Sequence, residues 1–380
     1  MIYLDAAATT PVRREVLEAM WPYLTGDFGN PSSTHSLGER AARALADARA
    51  RVARHLGARA SEVTFTSGGT EADNLAVKGI ALGAPRGRHI ITTPIEHEAV
   101  LESCDYLRRH HGFRISFLGV DHTGRVDPDE LAARLSSDDT LVSVMYANNE
   151  VGSIQPVAEL AAIARAVKVP LHTDAVQAAG WLTLDARALG VDALSFSGHK
   201  LGAPKGVGAL FVRGRVPLEP LMHGGGQERG ARSGTENVAA AVGLALALDL
   251  AAAERETQAA RVTALRDGFV GEVLRRVPEA ELTGHPVHRL PGSASFCFDG
   301  VSGEAVLLEL ERAGVVCSSG SACAAGSDEP SHVLLAAGFP PERALTAVRF
   351  TFGGESTEAD LAAAATAVEA AVGAVRSLAR

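Results

Sequence analysis

The sequence predicts an α/β protein, with a mostly parallel, doubly wound seven-stranded sheet in a large domain and a smaller α+β domain at the C-terminus. Three observations lead there. Between about residues 60 and 215, short β-branched runs alternate with stretches of helical spacing, and such alternation favours parallel strands joined by crossover helices. After Pro291 the pattern changes to a compact unit that mixes strands and helices. The chain has 380 residues, 46% hydrophobic and 21% charged, which suits a folded protein with more than one simple core.

Taken in order, residues 1–15 form an N-terminal segment expected to pack near the small domain. Seven strands are expected at Glu62–Thr66, His89–Thr93, Arg114–Val120, Thr140–Ala147, Pro170–Asp174, Ala193–Phe196 and Val207–Arg213. Helical spacing occupies Glu96–His110, Pro128–Leu135 and Val157–Val167 between them. One helix is expected from Thr235 to Thr257 and a second from Gln258 to Val277. The C-terminal unit then reads as strand Ser293–Asp299, helix Glu304–Arg312, the Cys317–Gly326 loop, a short helix near Ser331, strand Ala347–Phe352 and an alanine-rich last helix. These boundaries place the large domain at 16–260 and the small one at 261–380.

Several function classes are disfavoured. A formal net charge of −9 argues against nucleic acid or an anionic membrane as partner. Met1 to Asp5 offers neither a basic nor an apolar signal region, and the apolar stretch Val238–Leu248 stops at Asp249, too short to span a bilayer. Four cysteines without a CxxC or HxxxH pair fit a reducing cytoplasm and no metal site.

An amine that condenses with a cofactor aldehyde must be a lysine. Of four lysines, Lys78, Lys168 and Lys205 read as solvated or turn residues. Lys200 follows the apolar strand Ala193–Phe196 within Ser197-Gly198-His199-Lys200, where a doubly wound sheet places its site. Asp174 ends another apolar strand, where a carboxylate could keep a pyridine nitrogen protonated; Gln177 could reach the same ring's hydroxyl. Ser67-Gly68-Gly69-Thr70-Glu71 joins a strand to a helix, and its backbone N–H groups and the Thr70 hydroxyl suit a phosphate. Ser197 and His199 are further phosphate donors. His97, in Glu96-His97-Glu98, is placed to stack on a ring and exchange protons. Singly, each has a plain alternative: a loop lysine, a helix cap, a small-residue turn, a polar loop residue.

Together, in one order, Ser67-Gly68-Gly69-Thr70-Glu71, Glu96-His97-Glu98, Asn148-Asn149-Glu150-Val151-Gly152, Asp174-Ala175-Val176-Gln177, Ser197-Gly198-His199-Lys200 and Arg232-Ser233-Gly234-Thr235 resemble the NifS/IscS-type cysteine desulfurases. These are fold-type I pyridoxal-phosphate enzymes of the class-V aminotransferase family. The likeness runs from Tyr3-Leu4-Asp5 to the last helix. It implies pyridoxal 5′-phosphate held by Gly69, Thr70, His97, Asn149, Asp174, Gln177, Ser197, His199 and Lys200, with Thr235 reaching the phosphate of the partner subunit in a homodimer.

The loop Ser318-Ser319-Gly320-Ser321-Ala322-Cys323 decides the reaction within that family. By composition Cys323 could be a half-buried loop residue; the resemblance makes it the nucleophile that takes sulfur from L-cysteine, leaving L-alanine. Lys200 and His97 complete the catalytic set. Arg349, which alone reads as half of a buried salt bridge, is implied to hold the substrate carboxylate with Asn149 and Asn30. Cys104, Cys297 and Cys317 read as core residues. Gly353-Gly354-Glu355 departs from several relatives, and no C-terminal extension follows the last helix, which bears on scaffold docking. The expected sulfur acceptor is a protein such as an iron–sulfur scaffold or a tRNA-thiolation protein. Rival readings are an aminotransferase or a selenocysteine or cysteine-sulfinate lyase on this scaffold, or a sulfur-relay protein without chemistry.

Overall fold

The computed structural model describes residues 1–83, 85–319 and 329–378. Its strands are β1 (Ile2–Tyr3), β2 (Val63–Thr66), β3 (His89–Thr92), β4 (Arg114–Phe117), β5 (Leu141–Ser143), β6 (Leu171–Asp174), β7 (Ala193–Ser197), β8 (Gly208–Val212), β9 (Ala280–Leu282), β10 (Ser293–Phe298), β11 (Val315–Val316) and β12 (Ala347–Thr351). Helices α1 to α4 cover Arg14–Thr25, Ser36–His55, Gly69–Gly83 and Glu98–His111. Helices α5 to α8 cover Pro128–Arg134, Val157–Ala166, Ala186–Leu189 and Val238–Arg276; α9 to α12 cover Gly303–Arg312, His332–Ala336, Pro341–Ala344 and Glu358–Leu378.

The seven expected strands form one sheet of order β2-β8-β7-β6-β5-β3-β4. Only β8 runs against its neighbours, β2 and β7. Side-chain alternation explains the three layers. Ile90, Leu141, Ala193 and Leu210 face α3 and α4; the next residue along each strand, Ile91, Val142, Leu194 and Phe211, faces the core built from α2, α6 and the first half of α8.

One expectation is corrected. The two helices anticipated on either side of Thr257–Gln258 are a single helix, α8, of 39 residues. The junction contains no glycine, proline or capping side chain, so nothing interrupts the hydrogen-bond ladder. Its first half packs in the large core through Val238, Leu244 and Leu248, and its second half packs in another core through Val262, Phe269 and Val273. The boundary drawn at 260/261 therefore falls inside a helix.

That second core lies on the antiparallel sheet β12-β10-β9, with Phe296, Phe350 and Phe352 around Phe269. The alanine-rich α12 is apolar and long enough to cross a membrane by length and composition, but Leu361, Val368 and Val372 bury one of its faces here. β1 pairs with β11 in this part of the molecule, while residues 7–10 cross to the end of the large sheet.

Candidate active site

β3, β5, β6 and β7 are parallel, so their C-terminal ends and following loops share one edge of the sheet. Asp174 lies at the end of β6. It is 5% exposed, and Oδ1 accepts the Val176 N–H at 2.8 Å. Burial pushes its carboxyl above the usual range, opposed by the charges of His97 and Lys200.

His97 caps α4: its Nδ1 accepts the Ala99 N–H at 3.0 Å, which leaves the proton of the neutral ring on Nε2. Glu96 holds this corner. Its Oε1 accepts the Thr93 hydroxyl at 2.6 Å and the Met145 N–H at 2.9 Å, tying the exit of β3 to that of β5. Oε2 is buried without a hydrogen-bond partner among the described residues, and burial pushes the carboxyl up to about 8.

Gly198–Lys200 forms a 3₁₀ turn directly after β7. The Lys200 ammonium donates to the carbonyls of Ala7 and Ala8, the latter at 2.7 Å. Gln177 Nε2 donates to Ala7 O at 3.0 Å, and His199 Nδ1 lies 3.1 Å from the Thr9 hydroxyl. Burial, aided by Lys200 and Lys205, pushes His199 down to about 4. It is therefore a neutral hydrogen-bonding group near pH 7 and not a cation.

The turn after β2 supplies the anion cradle. A cleft of about 440 Å³ is lined by Ser67, Gly68, Gly69, Thr70, Ser197 and His199, with Lys205 contributing positive charge. α3 begins at Gly69, so its first N–H groups open toward this cleft. A Cβ on Gly69 would come within 2.7 Å of Val176, so glycine lets the helix end approach the loop after Asp174. The Arg232–Glu71 ion pair (2.9 Å), not foreseen from the motifs, fastens the Thr235 loop to this turn. Thr235 is exposed and lines a second cavity of about 210 Å³ that shares Ser67 and Gly206 with the cleft.

Arg349, 3% exposed on β12, forms the buried salt bridge that its sequence position alone suggests. Its fork is engaged within the chain: Nη2 meets Asp5 Oδ1 at 2.8 Å and Nη1 the Asn149 carbonyl at 3.0 Å, while Nε is buried without a hydrogen-bond partner among the described residues. Asn149 thus contributes its backbone to this contact. Asn148, not singled out from sequence, shapes that turn by accepting the N–H groups of Glu150 and Val151. Asn30 lies in an exposed turn where Oδ1 accepts the Ser32 N–H; among the described residues no hydrogen bond links it to Arg349.

Cys323 lies outside the described residues. The chain before it is anchored at Arg349, whose N–H donates to Ser318 O at 2.7 Å. After it, Ser331 donates to buried Glu150 at 2.5 Å. The other three thiols are poor nucleophiles: burial pushes Cys104 and Cys317 up to about 12 and Cys297 up to about 11. Among the described residues no group of three or more His, Cys, Asp or Glu could hold a metal ion.

The aminotransferase class-V family matches residues 2–363. The chain is 48% identical to the cysteine desulfurase IscS of Dictyoglomus turgidum and 47% identical to that of Methanosarcina thermophila. Each alignment covers 95% of this chain, with 91% and 89% of the relatives. The chain belongs to the class-V aminotransferases, among the cysteine desulfurases. A solved NifS-like protein superposes with a TM-score of 0.91 at 38% identity, covering 97% of this chain and 98% of the other.

Class-V aminotransferases generally depend on pyridoxal phosphate, and the donor set suits that group. A helix N-terminus with hydroxyls faces one end of the site. Asp174, a buried carboxylate raised by desolvation, matches a protonated ring nitrogen, which would supply the countercharge.

Proposed function

We propose that this cysteine desulfurase takes L-cysteine, leaves L-alanine, and carries the sulfur as a persulfide on Cys323 for a protein acceptor such as an iron–sulfur scaffold or a tRNA-thiolation protein. The observation that carries the assignment to Cys323 is the desolvation of the other three thiols: a sulfur-attacking thiolate must form near neutral pH, and buried Cys104 and Cys297 and half-buried Cys317 are all pushed above the ordinary thiol range.

Bound here, pyridoxal 5′-phosphate supplies an aldehyde that exchanges between amines and a ring that takes up the electron pair left at the substrate Cα. Asp174 would be the counterion that keeps the cofactor's ring nitrogen protonated. Gly69, Thr70, Ser197 and His199 bind the phosphate, and Thr235 of the second subunit reaches it too in a homodimer. Gln177 donates to the ring hydroxyl. Lys200 would anchor the cofactor, and its amine is the base for the substrate Cα proton. His97, with its proton on Nε2, would help hold the cofactor and relay protons.

Arg349 orients the substrate carboxylate, with Asn149 and Asn30 beside it. The Cys323 thiolate forms an S–S bond with the substrate sulfur as the Cβ–S bond breaks. Protons returned to Cβ and Cα complete L-alanine, so that cysteine plus thiol become alanine plus persulfide. We place the reaction in the cytoplasm. Dimer formation is supported by the exposed apolar row Leu17, Trp21 and Leu24 along α1; sedimentation at micromolar concentration tests it, and a monomer would contradict it. The activity is tested by following sulfide and alanine from L-cysteine with a reductant: equimolar products support it, and pyruvate or keto-acid-dependent turnover without sulfide opposes it.

A further inference from the structure

Beneath Asp174 lies a second buried carboxylate that the chemistry above does not use. Asp73, on α3, is 1% exposed and its Oδ1 has no hydrogen-bond partner. The basic group beside it is His172 Nε2, at 3.7 Å. His172 shares a sheet face with Asp174, two residues on along β6. Its ring is bracketed by two serines: Ser143 Oγ, on its register partner in β5, lies 2.9 Å from Nδ1, and Ser195 Oγ, two residues beyond its register partner Ala193 in β7, lies 2.8 Å from Nε2. Ser195 in turn is the register partner of Asp174. A polar row, Ser143–His172–Ser195, therefore crosses the sheet under Asp174, with Asp73 closing it from the helix layer.

The charge balance of this row decides Asp73's state. Burial pushes His172 down to about 3, so it offers no positive charge near pH 7. Burial, with Asp174 and then Glu96 adding repulsion, drives the Asp73 carboxyl well above the usual range, relieved in part by the Ser195 hydroxyl. Two carboxylates in one dry enclosure cannot both ionise cheaply. Asp174 has the Val176 N–H and the fields of His97 and Lys200 to favour its charge.

We propose that Asp73 is a positioning residue for Asp174: as a neutral carboxylic acid it completes the Ser143–His172–Ser195 row, so that the single negative charge at this end of β6 resides on Asp174. The proposal rests on Asp174 serving the cofactor ring nitrogen.

Two variants of the holoenzyme test it, Asp73→Asn and Asp73→Leu. Asparagine keeps shape and hydrogen bonding without a charge. Infrared difference spectra, Asp73→Asn against parent, should show loss of one carbonyl band of a protonated carboxylic acid. Cofactor affinity, titrated by protein fluorescence, should stay within about threefold in Asp73→Asn and weaken about tenfold or more in Asp73→Leu, which cannot satisfy the row. An unchanged acid band would mean that Asp73 is ionised and would overturn the proposal. So would an Asp73→Asn affinity as poor as that of Asp73→Leu. Asp174→Asn separates the two readings: unchanged cofactor affinity there contradicts the ring-nitrogen assignment, whatever the acid band shows for Asp73.

Discussion

Lys200 and Gln177 donate to the same carbonyl oxygen, that of Ala7. The two side chains leave different strands, β7 and β6, and meet on a segment near the chain's start. Residues 7–10 thus form the wall against which Lys200 rests, since Lys200 also bonds the Ala8 carbonyl and Thr10 bonds His199 O. Condensation with an aldehyde requires the amine to leave these carbonyls. Lys200→Ala should fold, because Lys200 belongs to no hydrophobic core, yet fail to retain a yellow cofactor through gel filtration and form no sulfide. Retention of the visible band would contradict the assignment of Lys200.

His97 does two jobs that substitution can separate. As N-cap it accepts from Ala99, and asparagine can do the same. His97→Asn should therefore melt close to the parent, whereas His97→Ala should lose about 1 kcal/mol of stability. Both should lose activity about 100-fold or more if the Nε2 proton matters. Full activity in His97→Asn would reduce His97 to a helix cap.

The Arg349 fork is already shared by Asp5 and the Asn149 carbonyl. Arg349→Lys keeps the charge but loses the planar fork, so the KM for L-cysteine should rise about tenfold or more, with a smaller change in kcat. Steady-state kinetics decide this. An unchanged KM would leave Arg349 as only the buried partner of Asp5.

Glu96 gives a pH dependence with a definite sign. Its folded value of about 8 lies above its ordinary 4.5. The folded state therefore holds a proton that the unfolded state has lost. The stabilisation is complete below 4.5 and declines toward 8 as pH rises, at up to about 1.4 kcal/mol per pH unit. Urea midpoints of parent and Glu96→Gln, compared at about pH 5 and about pH 8, should show a shallower decline in the variant. Parallel declines would mean that Glu96 is ionised throughout.

Much of this architecture can be read from local sequence. The seven strands were legible because apolar β-branched runs are bounded by turns, and the motifs at Ser67, Glu96, Asn148, Asp174 and Ser197 each lie at or just past a strand end. Asp174, His97 and Lys200 do converge at one edge of the sheet. Less local features were not legible. The Ala7–Lys200 contact joins residues 193 apart in the chain. Asp73 and Glu96 look like ordinary helix or loop charges until the sheet buries them. The continuity of α8 depends on two cores supporting its halves, a tertiary effect that the polar residues around Thr257 conceal.

The central claim is that sulfur passes through Cys323. Treat the holoenzyme with L-cysteine without reductant, then alkylate and map persulfides by mass spectrometry, in the parent and in Cys323→Ser. The account predicts one persulfide, on the peptide containing Cys323, and loss of both persulfide and sulfide release in the variant. A persulfide on Cys104, Cys297 or Cys317 in the parent, or undiminished sulfide release from Cys323→Ser, would contradict it.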